Sequence, residues 1–210
     1  MGALADKFRF DLDGGRVSLD FINTVSGMRE TAPREKLTAY PDLVYWAQQA
    51  GLLDRKRAAE LYDDAEAHPR KAEAAFIEAI RTREALNALV VAAVRKQPGP
   101  DWAFERIDAW IASALPHRRL KAKAAGRFDL EFDDDGDPLF FLRPVAADAA
   151  DLLANMLPTG RVRRCGESEF GRCGWLFLDQ TKNASRRYCS MKECGNRAKQ
   201  RRFHHRHKTG

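Results

Sequence analysis

Apolar residues recur at helical spacing between residues 41 and 115, and this pattern predicts four helices. Pro41, the capping residue Asp54 and Pro69 mark the beginnings of the first three. The third is expected to end near residue 96, and the fourth to span residues 101–115 with Phe104 facing inward. Most of the N-terminal half is therefore expected to be helical.

The segment before these helices mixes apolar and polar residues. Residues 17–25 predict a short buried helix, although their β-branched side chains also fit a strand. Asp20, Asn23 and Thr24 interrupt this segment, and we expect them either to make buried hydrogen bonds that fix a chain crossing or to line a pocket. The charged residues 27–40 predict a loop.

After residue 126 the hydrophobic period changes from that of a helix to that of a strand. Apolar and charged residues alternate over 128–132, and the apolar residues 139–142 follow an Asp- and Gly-rich turn, so these two segments predict a β-hairpin. A helix is expected over residues 148–157, and residues 158–160 are expected to form a hinge. The predicted fold class is mainly α with a small β-hairpin.

Length and composition fit a helical N-terminal domain in residues 1–160 followed by a small C-terminal module in residues 161–210. Hydrophobic residues make up 44% of the chain and charged residues 31%, which excludes a disordered protein. The longest apolar run, residues 85–94, is shorter than the ~20 residues that span a bilayer. Without a signal-peptide pattern at the start, a cytoplasmic protein with no membrane partner is expected.

Charge is distributed unevenly along the chain. Residues 161–210 contain 14 of the 36 Lys and Arg residues but 4 of the 30 Asp and Glu residues, a net charge of +10, whereas the preceding 160 residues carry −4. Such asymmetry is typical of a segment that binds nucleic acid or another polyanion, and it favours that interpretation over a solvated basic end.

All the cysteines of the chain lie in this basic segment. They are Cys165, Cys173, Cys189 and Cys194. Because a reducing cytoplasm disfavours disulfide bonds, four thiols at such spacing predict one structural, tetrahedral Zn²⁺ site. Seven residues separate the first pair, which is wide for zinc, so a histidine could replace Cys165 as the fourth ligand. The candidate histidines are His204, His205 and His207.

The residues between the cysteines predict the frame of the site. Residues 176–178 form an apolar strand that is expected to pair with residues 186–188, and a helix is expected from residue 198 to about residue 207. A loop, a hairpin and a helix whose first turn bears the last ligand make up a treble-clef-like zinc finger. In so small a module the metal replaces a hydrophobic core.

Two sequence motifs resemble known families. The run CGWLFLD, followed by RRYCSMKECGNRAKQRR, resembles the CGNR zinc finger, which is named after the tetrapeptide at residues 194–197. Upstream, SLDFINTV at residues 18–25 resembles the opening motif of the ABATE domain, described as a putative stress-induced transcription regulator. The first cysteine pair here is three residues wider than usual in the finger. The resemblance implies that the four cysteines bind zinc, that Asn196 and Arg197 are motif residues, and that the protein regulates transcription in a stress response.

The predicted terminal helix carries basic residues on both sides and few apolar ones, which suits a helix lying between rows of phosphates. Two alternatives stay open: Asn196 could cap the helix, and Arg197 could pair with Asp179. The predicted nucleic-acid-binding residues are Arg186, Arg187, Asn196, Arg197, Lys199, Arg201, Arg202 and Arg206.

The sequence therefore predicts a zinc-containing, DNA-binding transcription regulator. Its N-terminal domain is expected to sense a small-molecule effector or to form a homodimer. Phosphate-binding loops, nucleophile elbows and second metal motifs are not found in the sequence, so no catalytic residue is assigned and the protein is not expected to be an enzyme. Two other classes stay open: a module that binds RNA or an acidic protein, and an enzyme with an unrecognised site among the helices.

Overall fold

The computed structural model describes residues 9–208 of the chain and the side chains of residues 9–204. The described residues form seven α-helices and six strands, which pair as three two-stranded antiparallel sheets. The helices are α1 (Val17–Ile22), α2 (Tyr40–Gln49), α3 (Arg55–Ala67), α4 (Pro69–Val94), α5 (Asp101–Ala114), α6 (Arg143–Asp151) and α7 (Asn196–Lys208). The strands are β1 (Val25–Met28), β2 (Ala32–Glu35), β3 (Arg118–Ala122), β4 (Phe128–Phe132), β5 (Val162–Arg164) and β6 (Leu176–Leu178). The predicted fold class is confirmed.

The four central helices match their predicted positions. The Asp54 carboxylate accepts a hydrogen bond from the Arg57 backbone N–H at 2.8 Å and caps α3, and Pro69 is the first residue of the 26-residue α4. The inward position predicted for Phe104 is wrong: it is 62% exposed, because α5 packs on its neighbours through the stripe that contains Ile107. Among the described helices, none combines the length and apolarity that crossing a membrane requires.

Two clusters of buried side chains form the interior. The first joins α2, α3 and α4 around Trp46, whose ring centroid lies 5.2 Å from that of Phe21. The second lies around Leu19 of α1 and extends over α4, α5 and α6. Strand β5 adds Val162 and β6 adds Leu176 to this second cluster. Each fully buried side chain of this size stabilises the fold by about 2 kcal/mol, so the C-terminal strands complete a core that the helices begin.

The β4 strand has a different partner from the predicted one. It pairs with β3, which precedes it, and not with residues 139–142. Those residues lead through a 3₁₀ turn into α6, because Phe141 and Leu142 are buried in the first cluster and Arg143 pairs with Asp135 of the acidic turn at 2.8 Å. The residues of β3 are exposed on both faces and carry no strand pattern that the sequence could show.

The region expected to be a loop contains a hairpin formed by β1 and β2. Residues 17–25 contain both a helix and the start of a strand, so each of the two expectations holds for part of them. The hairpin is fixed to α4 by the buried Arg83, which donates to the Glu35 carboxylate at 2.8 and 2.6 Å. The same guanidinium donates to the Thr24 hydroxyl at 2.9 Å.

The polar residues of the first helical segment make buried hydrogen bonds, as the first of the two alternatives expected. Asp20 accepts the Gly14 backbone N–H at 2.8 Å, and the Thr24 hydroxyl donates to the Phe21 carbonyl at 2.8 Å. Asn23 binds a backbone in the C-terminal region, as described below. These bonds fix the crossing of α1 with the segments around it.

The predicted hinge is part of a continuous packed structure. Helix α6 begins at Arg143, earlier than the predicted residue 148, and residues 152–159 continue it as irregular helical turns. Gly160 then adopts a left-handed conformation with φ +69°, and β5 begins at Val162. The division of the chain into domains at residue 160 stays a prediction.

Candidate metal centre

The four cysteines converge at one buried point. Their sulfur atoms all lie within 4.8 Å of one another, and Cys189 Sγ is 3.7 Å from Cys173 Sγ and 3.6 Å from Cys194 Sγ. Four thiolates at ~2.3 Å from a central ion are ~3.8 Å apart, whereas the sulfurs of a disulfide are ~2.05 Å apart. The arrangement therefore fits one tetrahedral zinc ion and excludes disulfide bonds.

The first two ligands lie in the loop between β5 and β6. These strands form the antiparallel hairpin of the finger, so the predicted pairing of residues 176–178 with residues 186–188 is wrong. The reason is tertiary: β6 is paired with β5 and buried in the second cluster, and β5 was not recognised as a strand in the sequence. Residues 186–188 instead contact the loop that follows Cys165, because the Gly166 backbone N–H donates to the Arg187 carbonyl at 2.8 Å.

The wide spacing of the first pair is absorbed by a short turn. Residues Gly166–Phe170 form a 3₁₀ turn, and Gly171 reverses the chain with φ +65° before Cys173. Cys165 is completely buried and belongs to the cysteine cluster. Three additional residues therefore lengthen the loop and leave Cys165 in place as a ligand.

The last two ligands flank the start of the terminal helix. Cys189 precedes a π-helical turn, Met191–Gly195, which contains Cys194 and continues into α7. The position of the last ligand in the first helical turn agrees with the prediction. The free N–H groups of a helix N-terminus carry partial positive charge, which favours the thiolate form of cysteine beside them.

The alternative histidine ligands are not supported. His204 is exposed and stacks edge-on against Phe203, and the metal-binding cluster among the described side chains consists of the four cysteines. His205 and His207 lie outside the described side chains.

The chemistry of four thiols at this distance demands a cation. Hydrogen bonding to Cys165, together with burial, raises the pKa of the Cys189 thiol, because neighbouring sulfurs cannot all be ionised without a counter-charge. A divalent ion reverses this effect and deprotonates each thiol that it binds. Four protein thiolates fill a tetrahedral shell and leave no position for water or substrate, so the role of the ion is structural.

The finger is anchored to the N-terminal segment by hydrogen bonds between side chains and backbone groups. The Asn23 side chain donates to the Leu176 carbonyl at 2.8 Å and accepts its N–H at 3.0 Å, inside the protein. The Trp175 indole N–H donates to the Val25 carbonyl at 3.0 Å. The motifs SLDFINTV and CGWLFLD, which are far apart in sequence, thus bind each other directly.

Comparison with protein families agrees with this architecture. A sequence model of the ABATE family, described as "Putative stress-induced transcription regulator", matches residues 15–156. The chain belongs to the ABATE family. A model of the CGNR zinc finger matches residues 161–207, which contain the four cysteines. The metal centre is therefore the site of one structural zinc ion in a CGNR finger. A search of curated proteins finds no match.

Two of the predicted nucleic-acid-binding arginines are engaged inside the CGNR finger. The Arg186 guanidinium donates to the carbonyls of Asp13, Tyr188 and Cys189, and it lies 4.5 Å over the ring of Phe177. These contacts hold the segment before Cys189 against the N-terminal segment.

Arg201 is likewise an internal contact. Its guanidinium pairs with the buried Glu167 at 2.6 Å and lies 3.4 Å from the ring centroid of Phe170. Arg201 therefore fixes α7 to the loop between the first two zinc ligands.

The motif residues Asn196 and Arg197 differ in their surroundings. The Asn196 amide donates to the Lys192 carbonyl at 2.8 Å. A capping side chain accepts from a backbone N–H instead, so this bond is not the predicted cap. Arg197 does not pair with Asp179, so that alternative is wrong. The Asp179 carboxylate instead accepts from the Thr181 backbone N–H at 3.0 Å and from that of Arg186 at 2.9 Å.

The other predicted residues lie on the surface. Arg187, Lys199 and Arg202 are exposed, and Arg202 makes one long bond, 3.4 Å, to the Ala198 carbonyl. Arg206 lies outside the described side chains. Whether any of these residues contacts nucleic acid stays a prediction.

An open groove of about 810 Å³ lies beside the metal centre, between the finger and the β1–β2 hairpin. Arg34 of the hairpin and Arg172, Lys192 and Arg197 of the finger line it. Within the described part of the chain, none of these four side chains forms an ion pair or hydrogen bond. Arg34 and Arg172 are not among the predicted nucleic-acid-binding residues. Arg172 could have been predicted as a groove residue because it adjoins the zinc ligand Cys173. Arg34 could not, because only folding brings it close to the finger.

Proposed function

We propose that this protein is a transcription regulator that binds DNA through a surface shared by its ABATE domain and its CGNR finger. The groove beside the metal centre carries the proposal, because four basic side chains from the two segments line it without anionic partners among the described residues. Such side chains are available to neutralise phosphates, and neutralisation supplies most of the affinity in nonspecific DNA binding.

The balance of charge in the groove supports an anionic partner. Six basic and three acidic side chains line it, and one of the acids, Asp11, is already paired with Lys36 at 3.2 Å. The Lys36 ammonium also lies 5.5 Å from the ring centroid of Trp175, which holds it at the rim. The remaining positive excess faces solvent and favours a polyanion over a neutral ligand.

The proposed contact surface extends from the groove over the finger. We include the exposed residues Arg187, Asn196, Lys199 and Arg202, and Arg206 farther along α7. Arg186 and Arg201 support the surface as positioning residues, because their guanidinium groups bind other parts of the protein.

Duplex DNA is the partner we favour, because the ABATE family is described as a regulator of transcription. RNA or an acidic protein would recognise the same charges, and stronger binding of either one than of duplex DNA would contradict this choice of partner. The family descriptions point to a regulator and not to an enzyme, and we assign no catalytic residue. A role in stress responses, a cytoplasmic location and control by a small molecule are parts of the same proposal.

The proposal is tested by the salt dependence of binding to a random-sequence DNA duplex. Replacing Arg172 and Arg197 by Gln removes two cations from the groove. We expect weaker binding and a log–log salt slope that is reduced by ~0.9 for each phosphate that the variant no longer neutralises. Fluorescence anisotropy of labelled duplex at several salt concentrations measures both quantities.

The control is Lys56→Gln, which removes one charge from an 88% exposed side chain on α3, away from the groove. It is expected to bind like the wild type. DNA binding that is absent in the wild type, or a slope that the double variant leaves unchanged, would contradict the proposal. Stronger binding to structured RNA than to duplex would assign the groove to RNA.

We also propose that the protein forms a homodimer through the β3–β4 hairpin. Leu120, Phe128 and Leu130 share one face of this hairpin and are 66%, 63% and 55% exposed. A two-stranded sheet with an uncovered apolar face is only marginally stable in water. A second copy is the favoured occupant, because a two-fold axis brings the same apolar side chains of both copies together. The charged residues Arg119, Lys121, Asp129 and Glu131 stay on the opposite face of the hairpin.

A further inference from the structure

The ABATE domain contains a second large concavity, remote in sequence from the zinc finger. It is an open cavity of about 960 Å³ between α2, α3 and α4, which is the size of known small-molecule sites. Small side chains leave this space: Ala58 and Ala65 on α3 and Ala72 on α4 form much of its floor. Larger side chains at these three positions would fill part of the cavity.

The walls of the cavity are aromatic. Tyr45, Tyr62 and Phe76 come from the three different helices, and each is half-buried against the first core cluster. Burial raises the pKa of the Tyr62 hydroxyl, so this side chain is neutral at physiological pH. Aromatic faces carry a negative quadrupole and attract cations within about 6 Å of their centres.

The rim of the cavity is acidic. Asp63 and Glu66 of α3 and Glu73 of α4 are exposed there, and none of them pairs with a cation among the described residues. The neighbouring acid Asp64, by contrast, is paired with Lys71 at 3.3 Å. Arg55 is the basic side chain in the lining, so the cavity has a net negative charge in a protein with a net charge of +6.

We propose that this cavity binds a small organic cation with a hydrophobic body, whose charge lies near the three carboxylates and whose apolar part stacks on the tyrosines. The half-buried Gln48 amide makes no hydrogen bond to any described residue and is available to orient such a ligand. An anionic ligand would meet three carboxylates, and a ligand without charge would leave them unused. The site is independent of DNA binding, so either proposal can fail without the other.

The test compares two probes of the same shape and opposite charge. Tetraphenylphosphonium and tetraphenylborate are titrated separately into the full-length, zinc-loaded protein without DNA, and binding is measured by calorimetry and tyrosine fluorescence. We expect the phosphonium to bind and the borate to bind at least tenfold more weakly. Equal binding of both probes would overturn the assignment of a cation, and binding of neither would overturn the site.

Variants locate the binding. Replacing Glu66 and Glu73 by Gln removes two exposed charges without touching the core, and it is expected to weaken phosphonium binding roughly three- to tenfold. Glu60→Gln removes one charge from α3 outside the cavity and is expected to change nothing. Ala59→Leu adds bulk to the lining and is expected to abolish binding while the far-UV signal is kept. Unchanged affinity in the Glu66 and Glu73 double variant and in Ala59→Leu would place the probe elsewhere and overturn the proposal.

Discussion

At the scale of single residues, polar side chains inside the protein decide how the ABATE domain meets the finger. The Asn23 side chain bonds both the N–H and the carbonyl of Leu176, as a neighbouring strand would. The Asp20 carboxylate accepts the Gly14 N–H and fixes the turn before α1. Such buried groups are costly unless they are bonded, so each specifies one arrangement of the chain. The polar residues inside an apolar segment were visible in the sequence, whereas the partner of Asn23, more than 150 positions away, was not.

Asp20 also makes the stability of the protein depend on pH. Burial raises the pKa of its carboxyl to about 7. The hydrogen bond from the Gly14 N–H and the charge of Arg186 lower this pKa, whereas the charges of Asp13 and Asp148 raise it further. In the unfolded chain the pKa returns to its ordinary value, near 3.8. Between these values the folded state binds a proton that the unfolded state has released, so this carboxyl lowers the stability as the pH rises through that window.

We therefore expect Asp20→Asn to stabilise the protein at pH 8 by about 2–4 kcal/mol, because the amide oxygen can still accept the Gly14 N–H and no charge is buried. The advantage should shrink toward pH 5 and vanish below pH 4. Urea denaturation of both proteins at several pH values measures it. A difference in stability that is constant from pH 5 to pH 8 would show that Asp20 does not titrate in this range.

The basic residues show where residue-level prediction fails. Arg186, Arg197 and Arg201 cannot be told apart from the sequence. In the structure, Arg186 and Arg201 are bound internally, whereas the Arg197 side chain forms no ion pair or hydrogen bond among the described residues. Ion pairs and aromatic contacts form between segments that only the fold brings together. The zinc ligands could be predicted because four thiolates of one kind fit few other roles in a reduced protein.

At the scale of elements, local signals were sufficient for helices and insufficient for strands. Helices α2 to α5 carry their own period, caps and stops within the chain. A hairpin depends on which strand lies next to which, and β4 and β6 were each assigned the wrong partner. In both cases the true partner, β3 or β5, precedes the strand and is short and rich in arginine, so no hydrophobic pattern indicates it.

Substitutions on the exposed apolar face of the β3–β4 hairpin should abolish the proposed homodimer. Replacing Leu120 and Leu130 by Ser removes the apolar pair at the centre of the proposed interface. Because both side chains are more than half exposed, the monomer should keep its stability within about 0.5 kcal/mol. Light scattering coupled to size-exclusion chromatography should show a dimer for the wild type and a monomer for the variant.

The control for this experiment is Ile77→Ser, which changes another exposed apolar side chain, 42% exposed, on α4. It should remain dimeric. A wild-type protein that is monomeric at high micromolar concentration would contradict the proposed interface, and so would a double variant that still dimerises.

At the scale of the whole molecule, the finger and the helices are parts of one hydrophobic core. Val162, Leu176 and Leu178 of the finger lie in the same buried cluster as Leu19 and Ile22 of α1. The sequence suggested two units joined by a hinge, because it showed a change in composition near residue 160 and could not show packing across it. The ABATE and CGNR motifs are therefore a structural pair, and each covers apolar surface that the other would expose.

This shared core predicts which segments outside the finger become less stable when zinc is lost. Cys194→Ala removes one ligand, and the three remaining thiolates hold the ion weakly. Because β5 and β6 are then free to leave the second cluster, we expect α1 and the middle of α4 near Leu86 to lose protection together with the finger. The first cluster around Trp46, which receives nothing from the finger, should keep its protection.

Hydrogen–deuterium exchange with mass spectrometry, on the wild type with and without chelator and on Cys194→Ala, measures this directly. Peptides that cover residues 17–23 and 84–91 should exchange faster without zinc, and those that cover residues 43–49 and 58–65 should not change. A loss of protection confined to residues 165–200 would show that the finger unfolds alone. Zinc would then stabilise a separate module. Loss of zinc would disrupt the groove only because the finger side of its wall unfolds, while Arg34 on the hairpin side stays in place.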